Sequence, residues 1–148
     1  MSKDKTTATL NDLIEALNDG IAFYDHAATE AQQAVHQQLF RDMSRLKSAI
    51  VTDLQAEVAV RGGEPDNDGS WLGDFRQGYA DLKAKLTKDP DAAYIDSLEA
   101  QEDRVLHSFR DAVEADQPSR VRELALAHLP EVTAMHDRMR ALKQARGG

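Results

Sequence analysis

A chain of 148 residues with no cysteine and a net charge of −8 is long enough to bury a four-helix core without disulfides or a structural metal. The missing cysteine excludes disulfide scaffolds, Cys-ligated zinc, iron–sulfur clusters and thiol catalysis. The acidic balance excludes a general nucleic-acid binder, which needs a basic face to displace counterions. The opening residues hold no apolar h-region, and no run approaches the roughly 18 apolar residues of a membrane span. A single soluble, cytoplasmic domain with neither a nucleic-acid nor a membrane partner is expected.

Residues 1–8 read as a disordered tail, and a bundle domain is expected over 9–145. The first helical segment carries Leu10, Leu13, Ile14, Leu17, Ile21, Tyr24 and Ala28, spaced three and four apart. A second stripe runs through Leu39, Met43, Leu46, Ile50, Leu54 and Val58. No strong breaker separates the two. One unbroken helix from Leu10 to Arg61 would be roughly 78 Å long, far beyond a domain with a radius of gyration of about 15 Å. The chain must therefore reverse, within the polar stretch from Glu30 to His36.

Gly62, Gly63, Gly69, Gly73, Gly78 and Pro65 then punctuate the chain, as Gly and Pro do where helices end. Ser70 is placed to cap a short helix over 70–86, with Trp71, Phe75, Tyr79, Leu82 and Leu86 as the stripe packed along the bundle. Asp89-Pro90 starts the next helix, with proline in the first turn where its missing N–H costs nothing. That helix presents Ile95, Leu98, Val105, Leu106, Phe109 and Val113. Gln117-Pro118-Ser119 makes a turn, and the last helix carries Val121, Leu124, Leu129, Val132, Met135, Met139 and Leu142. Pro130 is expected to kink it, and residues 146–148 to fray. No strand-like alternation occurs. The 62–89 connection is too long for a hairpin, so the chain reads as two antiparallel helical hairpins joined by a long crossover containing a short helix. That is the ferritin-like four-helix order, not the up-down-up-down bundle.

These residues resemble a bacterial family of ferritin-like four-helix-bundle proteins of unknown function. The matching pieces are LNDLIEALNDGIAFYDHAA, LQAEV, GGEPDNDGSWLGDFRQGYADLKAKLT, Glu102-Asp103 and His136-Asp137 with Arg138. They span nearly all of the chain from Leu10 to Leu142, and Tyr79 stands where that family is expected to have tryptophan. The resemblance implies the fold and a bacterial cytoplasmic origin, with no substrate attached.

Ferritin-like di-iron centres need a Glu from each of two helices and a Glu-x-x-His pair from each of the other two. No Glu-x-x-His occurs; His128 precedes Glu131, the reversed order. Tyr24, Glu57, Glu102 and His128 fall near the middle of apolar stripes, and Tyr24, Glu102 and His128 are expected to be buried. Counting about 1.5 Å per residue from the turns puts Glu102 level with His136, and Glu57 with His128 about 10–15 Å lower. No inward carboxylate from the second helix stands level with Glu102, and Lys47 is placed to neutralise it. Glu102 is accordingly expected to pair with His136, Tyr24 or Lys47 and to tolerate Glu102→Gln. The sequence favours a bundle without catalytic or cofactor residues, acting through association or in a stress-related role, with a homodimer as the expected assembly. The alternative is an iron- or manganese-binding protein or oxidase with a reduced site drawn from Glu102, His136, Glu57 and His128. Its protein partner is not encoded in any motif.

Overall fold

The computed structural model describes residues 2–63 and 89–147. These form four helices and no strand: α1 (Ser2–Glu30), α2 (Ala34–Val60), α3 (Pro90–Ala112) and α4 (Ser119–Gly147). The helix expected over 70–86, with Trp71, Phe75, Tyr79, Leu82 and Leu86, lies outside the described residues, as does most of the 62–89 connection.

The helix ends follow local chemistry. The chain reverses between Glu30 and Ala34, where the Gln37 side-chain amide donates to the Ala31 carbonyl at 2.7 Å. At the far end of α2, Gly62 takes φ +79°, and the Gly62 and Gly63 amides donate to Ala59 and Val58, each at 3.0 Å. This paired pattern satisfies the last carbonyls of the helix and calls for a residue without the left-handed penalty. Gly63 is required for space, since a Cβ there would lie 2.8 Å from Thr7 Cγ2. Asp89 opens α3, accepting from the Ala92 amide at 3.1 Å, with Pro90 in the first turn.

Two expected boundaries change. Residues 2–8 are helical instead of forming a disordered tail, because Thr6 is buried and Thr7 packs against the turn after α2. The last helix continues to Gly147 instead of fraying from Arg146. It also runs through Pro130; Pro130 and Leu126, whose carbonyl loses its helical partner, both lie on the exposed face.

The core follows the apolar stripes of all four helices, with an instructive exception on α2. Its buried seam is His36, Phe40, Met43, Lys47, Ile50 and Leu54, spaced four and three apart as a bundle seam requires. Leu46, expected to face inward, is 47% exposed, and Lys47 is fully buried in its place. The seam passes through position 47 because Phe40, Met43, Ile50 and Leu54 set its phase together. Leu46 sits one residue off that line.

Side-chain pairings fix the helix directions. Gly20 faces Lys47, and Thr7, further back along α1, faces Gly63 beyond the end of α2, so α1 and α2 are antiparallel. His36 pairs with Asp91 and, eleven residues on in both helices, Lys47 pairs with Glu102. Helices α2 and α3 therefore run in the same direction. Asp103 with His136 and Glu99 with Lys143 make α3 and α4 antiparallel. Helix α1 packs mainly on α2 and α3, and α4 mainly on α3, while α2 and α4 touch lightly.

Candidate functional site

At mid-height the core is ionic. Lys47 and Glu102 are both fully buried, and Lys47 Nζ lies 2.7 Å from Glu102 Oε1. The other carboxylate oxygen, Oε2, accepts from the buried Tyr24 hydroxyl. The ammonium also stands 5.9 Å from the centre of the Tyr24 ring, within range of a cation–π attraction. Three helices thus contribute one side chain each, and every charge has a partner. A buried charge without one would cost several kcal/mol.

Burial, followed by the negative charge of Glu102, pushes the Tyr24 hydroxyl well above the ordinary tyrosine range. It stays a donor, which is what Oε2 requires. Gly20 makes the room: a Cβ there would meet Cδ and Cε of Lys47 at 3.4 Å and the Gln101 side chain at 3.8 Å. Those distances are ordinary contacts for one methyl and leave no space beyond it. Gly20→Ala should therefore stabilise by about 0.5–1 kcal/mol through helix propensity. Gly20→Leu should lower the urea midpoint sharply, because its branched end must displace the lysine stem. Equal midpoints for the two variants would disprove this packing.

One end of the bundle carries a second polar cluster. Asp91, in the first turn of α3, reaches over to the α1–α2 turn. Its Oδ1 accepts from the Gln32 amide at 2.7 Å, and its Oδ2 from the Gln33 amide at 3.1 Å and His36 Nδ1 at 2.6 Å. Gln33 caps α2 without any side-chain bond of its own, so the cap is supplied by another helix. Burial alone would raise the Asp91 carboxyl, but the Gln32 amide, His36 and the Gln33 amide outweigh it and hold the group below the usual carboxylate range.

The residues singled out from sequence are dispersed. Tyr24 and Glu102 are buried and bonded to each other. His136 does not join them: it faces Asp103, the next residue around α3, at 3.1 Å and Asp137 at 3.0 Å. His128, expected to be buried, is only partly so. It lies where α2 and α4 touch lightly, with Nε2 2.6 Å from Asp53 and Nδ1 3.3 Å from Glu131. Glu57 pairs with Arg61 at 2.9 Å and Arg120 at 2.9 Å, not with His128. Arg120 first, then Arg61, hold its carboxyl below the usual range against the opposing effect of burial.

Sequence reasoning missed Asp91 and His36. Asp91 reads locally as a helix-start carboxylate, and only the parallel course of α2 and α3 brings it to His36. Among the described residues, no three His, Asp or Glu side chains are grouped so as to hold a metal ion. Both oxygens of Glu102 are engaged by an ammonium and a hydroxyl. This donor set does not fit a dinuclear carboxylate centre.

The described residues thus define an all-α bundle built around an ion pair. A family model, Domain of unknown function (DUF2383), matches residues 5–115, and the chain belongs to that family. Tyr24, His36, Lys47, Asp91 and Glu102 all lie within the matched span. No curated protein matches the chain.

Proposed function

We propose that this protein is a ferritin-like bundle of the bacterial cytoplasm that works by association or in a stress-related role, and not by catalysis at a metal centre. One observation carries the reading: the ammonium of Lys47 sits 2.7 Å from Glu102, so the most deeply buried inward carboxylate already has its cation. A lysine there repels a divalent ion and supplies no ligand to it. The ferritin-like order is supported by the shared direction of α2 and α3, since successive helices that run in parallel need a connection as long as the bundle itself, here the 62–89 crossover.

Metal analysis tests the reading. Protein purified without chelators should carry iron and manganese far below one equivalent, and adding either ion should leave the melting temperature unchanged. Stoichiometric metal that disappears in Glu102→Ala would overturn it in favour of a reduced carboxylate–histidine site.

A further inference from the structure

The lightly touching pair α2 and α4 leaves an open groove of about 440 Å³. The polar ties between these helices, Glu57 with Arg120 and Asp53 with His128, lie toward the α2 C-terminus. The groove opens beyond them, floored by Leu39, Met43, Leu46, Ala134 and Met135. On α2 it follows a second stripe, Val35, Leu39, Asp42 and Leu46, spaced four, three and four apart beside the core seam. Val35 is 68% and Leu46 47% exposed. A regular heptad edge of this kind is the surface a neighbouring helix packs against.

We infer that this groove is the face through which two copies of the chain associate, on a two-fold axis parallel to the helices. The argument is charge. Asp42 stands on the α2 lip and Arg138 on the α4 lip. Counting from the Asp53–His128 contact, Asp42 is eleven residues back on α2 and Arg138 ten residues on along α4. The two helices are antiparallel, so these side chains share a height to within about 2 Å. A two-fold parallel to the helices lays the α2 lip of one copy against the α4 lip of the other. Each Asp42 then meets the partner's Arg138 at the same level, twice over, around an apolar floor. An isologous interface must be self-complementary, and this one is, in charge as well as in apolarity. A free anion or fatty acid fits less well, because Asp42 and Glu131 both stand on the rim.

The inference rests on the reading that the protein works by association, but the two fail separately: that reading falls to bound metal, this one to the oligomeric state. Sedimentation of the full chain should show a dimer at concentrations on the order of 10 µM. Leu46→Glu should weaken dimerisation by about tenfold or more, with helicity unchanged because the position is already half exposed. Asp42→Arg and Arg138→Glu should each weaken it, and the double reversal should restore it. A monomeric wild-type chain, a dimer indifferent to Leu46→Glu, or a double reversal without rescue would each overturn the proposal.

Discussion

Replacing Lys47 with methionine should lower the stability of the bundle by about 3–5 kcal/mol, a large share of the 5–15 kcal/mol typical of a domain. The side chain keeps its length and apolar stem, so little packing is lost. What changes is Glu102, left fully buried with only the Tyr24 hydroxyl to offset its charge. Glu102→Gln fails from the other side. The sequence suggested that this substitution would be tolerated, but the amide leaves a fully buried ammonium without a counter-charge. The double variant Lys47→Met, Glu102→Gln removes both charges and retains an acceptor for Tyr24. It should be more stable than either single variant, the signature of coupled neighbours. Urea midpoints of the three variants and wild type complete the cycle. A Lys47→Met midpoint within about 1 kcal/mol of wild type would mean that the pair is not buried as described.

Asp91→Asn should cost about 2–3 kcal/mol and flatten the acid limb of the stability profile. One carboxylate receives three donors, and hydrogen bonds to a charged group contribute about 1.5–3 kcal/mol each. An amide turns one acceptor into a donor that faces other donors. The pH dependence follows from the lowered carboxyl. The folded state releases this proton more readily than the unfolded chain, whose aspartates titrate at about 3.9. The stabilisation is therefore complete above that value and is lost as pH falls through the lower folded value. Glu57, also lowered, adds to the same limb and will remain in the variant. Denaturation midpoints from pH 6 downward should fall less steeply for Asp91→Asn than for wild type. Parallel curves would show that the carboxylate does not hold the α1–α2 turn.

Much of this architecture is legible locally. The apolar positions of α1, α3 and α4 mark the faces that the bundle buries, because a 3.6-residue period written over several turns admits one buried stripe. Asp89-Pro90 and Gly62-Gly63 mark helix ends, because proline lacks an N–H and only glycine takes the left-handed turn without penalty. Glu102 announces itself as a carboxylate on an apolar face. Tertiary packing decided the rest. It set the phase of α2 that buries Lys47 and exposes Leu46, since adjacent residues on one helix differ by about 100° and either could have faced inward. It carried Asp91 across to the α2 N-terminus and turned His136 toward Asp103 and away from Glu102. It also drew α1 out to Ser2, by burying Thr6 and packing Thr7 against the far end of α2. Each of these depends on contacts between residues distant in the chain, and their partners are fixed only once the helices have docked.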